Sequence, residues 1–154
     1  MNARDLMSAP PLVAVPTDPV TRAAAIMRHH ELGALPVVSD RTEMRPVGIL
    51  TDRDIVVRCV ADDHGRWCTV CDHMTRPPLV TVEPDADVDA VMALMRDRQV
   101  RRVMVTEEDR LVGMVTLADV ARVEGPRDPI GTEKTLFRLS EPAHVGAGPC
   151  GGGY

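Results

Sequence analysis

Hydrophobic residues follow a helical period once in each half of the chain. They are spaced i, i+3, i+4 and i+7 at Val20, Ala23, Ala24 and Met27, and again at Val88, Val91, Met92 and Met95. This spacing predicts two helices that each bury one apolar face. Asp18 followed by Pro19 is a typical start signal for the first helix, and Asp85 or Asp87 serves the second.

Short apolar runs flank both predicted helices, and corresponding runs lie 65 to 68 residues apart. The runs cover residues 13–15, 35–38 and 47–50 in the first half, and 80–82, 103–106 and 112–115 in the second. Their length and composition predict strands, and a further helix begins after the last run of each half. Each half is therefore predicted as strand, helix, strand, strand, helix.

This internal repeat predicts the domain organisation. Repeat one covers residues 1–61, a polar linker covers 62–67, and repeat two covers 68–124. A flexible tail rich in proline and glycine covers 125–154, with a short strand or turn at 135–139. We expect an α/β (α+β) fold in which two β-α-β-β-α repeats pack with pseudo-two-fold symmetry, because one such unit is too small to close a good core.

Charge and composition exclude several classes of partner. The formal net charge is −5, so the general electrostatic attraction to nucleic acid or anionic lipid has the wrong sign. Aromatic residues make up 2% of the chain, which excludes a platform for stacking single-stranded bases. We expect no nucleic-acid and no membrane partner.

The start of the chain gives an expectation about the compartment. Residues 1–10 lack the apolar run of a secretory signal, and no segment has the roughly 18 consecutive apolar residues of a membrane-spanning helix. We therefore expect a cytoplasmic protein. In that compartment its four cysteines indicate free thiols, a metal site or a redox pair rather than a disulfide framework.

One polar motif recurs at the head of the last helix in both halves. It reads Gly, two apolar residues, Thr, two further residues and Asp, at Gly48, Thr51 and Asp54 and again at Gly113, Thr116 and Asp119. A hydroxyl beside free helix N–H groups favours an anion, and a carboxylate one turn later can accept hydrogen bonds from the vicinal diol of a ribose. The same spacing is that of a capping box, which starts a helix without any ligand.

The repeated motifs resemble a known family. The openings Leu6-Met7-Ser8 and His73-Met74-Thr75, the segments 33–38 and 99–105, and both Thr-x-x-Asp motifs resemble a tandem pair of cystathionine-β-synthase (CBS) domains over about residues 1–124. Residues 33–36 and 50–56 are similar to stand-alone CBS pairs of the actinobacterial hypoxic-response type. The resemblance implies a regulatory homodimer with no required cofactor, whose clefts bind an adenosyl compound such as AMP, ADP, ATP or S-adenosylmethionine.

The resemblance also implies which residues would contact that nucleotide. Asp54 and Asp119 would hold the ribose hydroxyls, and Thr51 and Thr116 would meet the ribose and phosphate. The base would lie between apolar residues, Val13, Val15 and Pro36 in one cleft and Val80, Val82 and Met104 in the other.

Phosphate contacts are implied for one half more than for the other. Arg101 and Arg102 stand where the family often has basic residues, but the first half has Gly33 and Ala34 there. His29, His30 or Arg53 would have to meet the phosphate in that half. Without the resemblance, the four arginines between residues 96 and 102 indicate either a solvated helix end or an anion site.

A second group of chemistry-bearing residues spans the boundary between the repeats. His64, Cys68, Cys71 and His73 could supply four tetrahedral zinc ligands, Cys68 and Cys71 could form a redox pair, and the group could equally have no role. Cys59 is predicted as a small core residue, and Cys150 as an exposed thiol in the tail.

Two functions follow from these patterns. The first is a non-catalytic sensor, since the sequence shows no supported nucleophile and base pair and hence no enzyme. The second is a zinc- or thiol-responsive interaction protein that uses the segment around Cys68 and Cys71. A scaffold with empty clefts is a third possibility.

Overall fold

The computed structural model of the protein describes residues 1–124. The first half contains α1 (Ala3–Leu6), α2 (Val20–His30), β1 (Ala34–Val38), β2 (Pro46–Thr51) and α3 (Asp52–Asp54), which continues as a π-helical segment, Ile55–Val60. The second half contains α4 (Val70–His73), β3 (Thr81–Val82), α5 (Val88–Arg98), β4 (Arg102–Glu107), β5 (Arg110–Thr116) and α6 (Leu117–Glu124). The predicted tail, with its turn at 135–139 and Cys150, lies outside the described residues.

Each half contains a small sheet of the same topology. In the second half β3 runs parallel to β4, and β4 pairs antiparallel with β5. In the first half β1 pairs antiparallel with β2, and a single parallel bridge from Ala14 to Val37 stands in the place of β3. The predicted mixed fold of two strand, helix, strand, strand, helix repeats is confirmed, with the leading strand of the first repeat reduced to that bridge.

The two long helices begin in different ways. Asp87 caps α5 as predicted, because its side chain accepts the N–H of Asp89 at 3.0 Å. The prediction that Asp18 caps α2 is wrong, since Pro19 occupies the cap position without a side-chain bond. Asp18 is buried and accepts the N–H of Val15 at 2.9 Å and a guanidinium N–H of Arg41 at 2.6 Å. The carboxylate of Asp18 is therefore engaged by residues 15 and 41 and does not cap the helix.

The opening helix of each half packs on the other half. Ala3 and Leu6 of α1 belong to the hydrophobic core formed around α5, β4 and β5. Val70 and Met74, at α4, belong to the core formed around α2, β1 and β2. Each hydrophobic core is therefore completed by a segment from the other half.

Backbone hydrogen bonds hold these crossed segments in place. Ser8 and Met114 exchange two bonds of 2.9 and 3.3 Å, and Thr75 and Ile49 exchange two of 2.8 and 3.0 Å. The two pairs occupy matching positions in the repeat. The crossed segments therefore add to the edge of each small sheet.

The glycine of the repeated motif is explained by this crossing. A Cβ at Gly48 would lie 2.9 Å from the backbone oxygen of Thr75, and a Cβ at Gly113 would lie 2.9 Å from the Cβ of Met7. Both distances are well below ordinary van der Waals contact, so only glycine admits the crossed segment. The close approach is made by protein and not by a ligand.

A third hydrophobic cluster joins the two halves. Val38 and Met104 are fully or almost fully buried there together with Leu111. Val13, Val15, Ile49, Met114 and two further side chains pack against them. Ile49 and Met114, which occupy matching positions in the two repeats, both pack in this cluster, as pseudo-two-fold packing requires.

Candidate functional site

The second half carries a cleft of about 690 Å³ at the start of α6. Its walls include Ser8, Gly33, Arg101, Arg102, Thr116 and Asp119. Four of the predicted ligand-contacting residues, the two arginines and the Thr116–Asp119 pair, therefore share one concave surface. The turn that follows α2 supplies the opposite wall, so both repeats contribute to it.

Thr116 and Asp119 form reciprocal hydrogen bonds at the head of α6. Oδ2 of Asp119 accepts the N–H of Thr116 at 2.9 Å and its hydroxyl at 2.6 Å, and the N–H of Asp119 donates to Oγ1 of Thr116 at 3.2 Å. Oδ1 is paired with the guanidinium of Arg122, whose side chain is 74% exposed. The pair caps its helix, and one carboxylate oxygen is held only by an exposed cation.

Arg102 projects toward the first half. A Cβ on Gly33 would lie 2.6 Å from Nη2 of Arg102, so the guanidinium fits there because residue 33 has no side chain. Within residues 1–124 Arg102 forms no salt bridge. The cleft therefore contains a guanidinium without a carboxylate partner.

In the matching motif of the first half, the carboxylate faces a cation that is itself anchored. Thr51 and Asp54 form the same capping box, with bonds of 2.9 and 3.0 Å. Oδ1 of Asp54 lies 3.5 Å from Nη2 of Arg58, and Nη1 of Arg58 donates to the backbone oxygen of His73 at 2.9 Å. Neither Thr51 nor Asp54 lines the cleft of the second half.

The apolar residues predicted to enclose the base lie outside that cleft. Val13, Val15 and Met104 belong to the cluster between the halves, and Val80 and Val82 pack against the core of the second half. Pro36 is buried in β1. None of them lines the cleft that contains Asp119.

Several residues of the cleft were not predicted for it, among them three with ionisable side chains. His30 was considered for a phosphate in the first half, but it lines the second-half cleft together with Glu31 and Arg122. His29 and Arg53, the other residues considered, do not line it. No sequence pattern marked His30 and Glu31 for this cleft; α2 ends there, with Glu31 in the left-handed conformation.

The cysteine and histidine group differs from the predicted zinc set. Ligand atoms of Cys59, Cys68 and His73 lie within 4.8 Å of one another, and Cys71 is not in the group. The ring of His64 stands beside it, with its centroid 5.3 Å from that of His73. Cys59 is buried as predicted, but it faces a thiol and an imidazole instead of apolar side chains alone.

Local contacts shift two pKa values in this region. Burial and then the neighbouring thiol of Cys68 raise the pKa of Cys59. The backbone N–H and hydroxyl of Thr69, each 2.8 Å from Oδ2 of Asp72, hold the pKa of Asp72 below its usual range. These shifts favour the protonated thiol at Cys59 and the ionised carboxylate at Asp72.

No helix within residues 1–124 is long and apolar enough to cross a membrane.

Comparison with known proteins identifies the fold family. The model of the CBS domain matches residues 3–60 and 70–125. The protein YlbB of Bacillus subtilis is 40% identical over 138 residues, which cover 90% of both chains. Hypoxic response protein 1 of Mycobacterium tuberculosis is 38% identical over 121 residues, which cover 79% of this chain and 83% of that protein.

Two crystal structures share the fold. That of hypoxic response protein I with two coordinated zinc ions superposes with a TM-score of 0.71 at 37% identity, covering 80% of this chain and 98% of that one. The CBS domain pair of protein MJ0100 in complex with 5′-methylthioadenosine and S-adenosyl-L-methionine gives 0.72 at 31% identity, covering 82% and 98%. The family model matches the chain twice, once in each half. This chain therefore belongs to the CBS domain family and carries a tandem CBS pair.

Proposed function

We propose that the protein is a non-catalytic regulator that binds an adenosyl compound in the cleft of its second half. The observation that carries the proposal is the convergence of Arg101, Arg102, Thr116 and Asp119 on one cleft of about 690 Å³. A volume of that size lies within the usual range for a small-molecule site. The related CBS pair of MJ0100, which binds adenosyl ligands, supports the same class of ligand.

The charges of the cleft suit a nucleotide phosphate or another anionic group. The guanidinium of Arg102 has no carboxylate partner within residues 1–124, and Arg101 lies beside it in sequence and in the cleft wall. A guanidinium can bind phosphate through two parallel hydrogen bonds. Ligand phosphate would therefore lie on the Arg102 side of the cleft.

The ribose would lie against Asp119. Its Oδ1 is paired only with Arg122, and an ion pair with a partner as exposed as this one contributes at most about 1 kcal/mol. Charge-assisted hydrogen bonds from a vicinal diol contribute about 1.5 to 3 kcal/mol each, so a ribose can displace Arg122. Oδ2 can stay in the helix cap while Oδ1 accepts the sugar.

The first half lacks the same combination. Gly33 and Ala34 stand where the second half has two arginines, and Asp54 is paired with Arg58, which is itself anchored to the backbone of His73. We therefore propose one adenosyl site for each chain. Binding regulates only if the ligand prefers one arrangement of the protein over another.

Calorimetric titration with AMP, ADP, ATP and S-adenosylmethionine tests the proposal. Asp119→Asn is expected to weaken binding about 10-fold or more, because it removes a charge-assisted bond. Asp54→Asn is the matched control, since it alters the same cap in the other half and is expected to leave the affinity unchanged. Thermal melting of both variants shows whether loss of a cap alone has altered folding.

Two further variants separate phosphate from sugar recognition. Arg102→Gln is expected to weaken AMP, ADP and ATP while leaving 5′-methylthioadenosine, which has no phosphate, unaffected. Gly33→Ala is expected to act in the same direction by displacing the guanidinium, with little loss of stability because the atom it meets is the end of a flexible side chain. Absence of heat with every ligand, or equal losses at Asp54 and Asp119, would contradict the proposal.

We also propose that two copies associate through the π-helical segment of the first half. Val56, Val57 and Val60 are 58%, 51% and 64% exposed there and form one apolar patch. A second copy of the chain can cover this patch by the same patch on its own surface, as two-fold symmetry requires. The resulting homodimer would place two CBS pairs side by side.

A second candidate function is a metal- or thiol-responsive interaction protein. The observation that favours it is the grouping of Cys59, Cys68 and His73.

A further inference from the structure

Three ligating side chains converge where the first half joins the second. Cys59 lies in the π-helical segment, Cys68 in the connector and His73 at the end of α4. The connector folds back onto that segment through a 2.9 Å bond from the N–H of His64 to the oxygen of Cys59. A bond of the same length from the N–H of Val20 fixes the carbonyl of Cys68. Secondary structure and backbone bonds therefore hold all three groups in place.

The spacing of these groups is close to that of a metal centre. Their two sulfur atoms and a ring nitrogen lie within 4.8 Å of one another. Tetrahedral zinc with sulfur at about 2.3 Å and nitrogen at about 2.0 Å separates its ligand atoms by about 3.5 to 3.8 Å. Side-chain shifts of about 1 Å would therefore complete the geometry. Within the described part of the chain, this is the one group of three such ligands.

A second observation also points to a missing ligand. His73 is 2% exposed, and its Nε2 has no hydrogen-bond partner among the described residues. Across residues 1–124 it is the one buried side-chain nitrogen or oxygen in that condition. A buried ring nitrogen without a partner is costly, and metal coordination is one of the few interactions that resolve the cost. Thiols are weak hydrogen-bond donors and do not replace it.

Solvent can reach the cluster. Cys68 and His73 also line a hollow of about 430 Å³ whose other walls are His64, Gly65, Trp67 and Asp72. The hollow gives an ion a path of entry, and the side chain of Asp72 lies in its wall. The single tryptophan of the chain lies at the same hollow, so its fluorescence can report binding.

We propose that Cys59, Cys68 and His73 bind one thiophilic divalent cation of the zinc class for each chain. Two thiolates and one imidazole are a typical ligand set for zinc, and the hollow leaves a fourth position for solvent or His64. Binding releases the two thiol protons to solvent and forms two metal–sulfur bonds and one metal–nitrogen bond, with no change of oxidation state. The ion would join the closing helix of the first half to the opening helix of the second.

Cobalt(II) is the probe, because its tetrahedral thiolate complexes are coloured. The untagged full chain is reduced, freed of metal and titrated with cobalt, then with zinc. We expect thiolate charge-transfer and tetrahedral d–d bands that saturate at one ion for each chain, quenching of Trp67 fluorescence by cobalt, and loss of the bands when zinc displaces it. We also expect zinc to raise Tm, because only the folded state brings the three ligands together.

Variants at the neighbouring cysteines decide the assignment. Cys68→Ser and Cys59→Ser are expected to lower the metal affinity about 100-fold or more. Removing a group that only hydrogen-bonds to a metal ligand already lowers metal affinity about 10- to 100-fold, and these variants remove a ligand itself. Cys71→Ser is the matched control, three residues from Cys68 and outside the cluster, and Cys150→Ser is the control for the tail. Both controls are expected to bind as the wild type does.

His73→Gln is expected to abolish the bands. If this substitution at a buried position prevents folding, Cys68→Ser, at a half-buried position, tests the same site. The proposal is overturned if the wild type shows no thiolate bands, or if Cys71→Ser or Cys150→Ser loses the ion while Cys68→Ser keeps it. Rapid loss of both cluster thiols to a disulfide under air, with no metal uptake in reductant, would also overturn it. None of these outcomes bears on nucleotide binding, which uses different residues.

Discussion

Replacing Gly113 by alanine tests the crossed packing of the opening helices. The new Cβ would lie 2.7 Å from Cγ and 2.9 Å from Cβ of Met7, whereas carbon atoms prefer about 3.5 to 4.0 Å. Met7 cannot withdraw easily, because its N–H donates to Ala3 at 2.9 Å and the next residue, Ser8, is bonded twice to Met114. The strain must therefore be taken up by the backbone of β5 or of the crossed segment.

The magnitude follows from two opposing terms. Overpacking of this kind costs about 1 to 3 kcal/mol, while replacing glycine by alanine stabilises by about 0.4 to 1 kcal/mol through the unfolded chain. We expect a net loss of about 1 to 2 kcal/mol in the free energy of unfolding, which for a chain of this size lowers Tm by about 2 to 8 °C.

Urea denaturation and thermal melting measure the effect, with Gly65→Ala as the matched control. A Cβ on Gly65 meets only Cδ1 of Trp67, at 3.8 Å, so that variant is expected to be as stable as the wild type or slightly more so. If Gly113→Ala unfolds at the same urea concentration as Gly65→Ala, the close contact between β5 and Met7 does not exist and the crossed arrangement is wrong.

Two more outcomes are expected. Val57→Glu is expected to convert a dimer to a monomer in light scattering after size exclusion, because it places a charge in the proposed interface; an unchanged mass would contradict the interface. N–H donors of Thr42 and Glu43, each 2.8 Å from Asp40, lower the pKa of that carboxyl, so its stabilising effect is present above about pH 4 and is lost as the pH falls through the lowered pKa. Asp40→Asn keeps the acceptor without the titration, and its stability is expected to fall less than that of the wild type from about pH 5 to pH 3 in urea titrations.

The element order could be predicted because local patterns determine it. Helical spacing at Val20 and Val88, and the apolar runs that follow, gave the mixed fold of two repeats that the structure and the family match confirm. The crossing could not be predicted, since it depends on contacts between residues far apart in the sequence, such as Thr75 with Ile49 and Ser8 with Met114. No local pattern carries such pairings.

For the candidate sites, too, the sequence predicted some residues, whereas others depend on contacts that only the fold creates. Comparison of the two halves singled out Asp119, the family resemblance implied Arg101 and Arg102, and the structure brings all three to one cleft. The same comparison could not show that Gly33 makes room for a guanidinium of the other repeat. Cys59 was missed as a ligand because a cysteine on an apolar helix face has the pattern of a core residue, and only the fold of the connector brings Cys68 to it.

The chain passes from one half to the other between residues 8 and 14 and returns between 75 and 81. Both passages contain a pair of adjacent prolines, at 10–11 and at 77–78, whose rings fix φ and make the links stiff. Two stiff tethers between the halves resist a hinge motion within one chain, because any bend would have to distort both at once. In the proposed homodimer, a signal from the cleft of the second half would then travel as a shift of one whole CBS pair against the other, and the output should be sought at the boundary between copies.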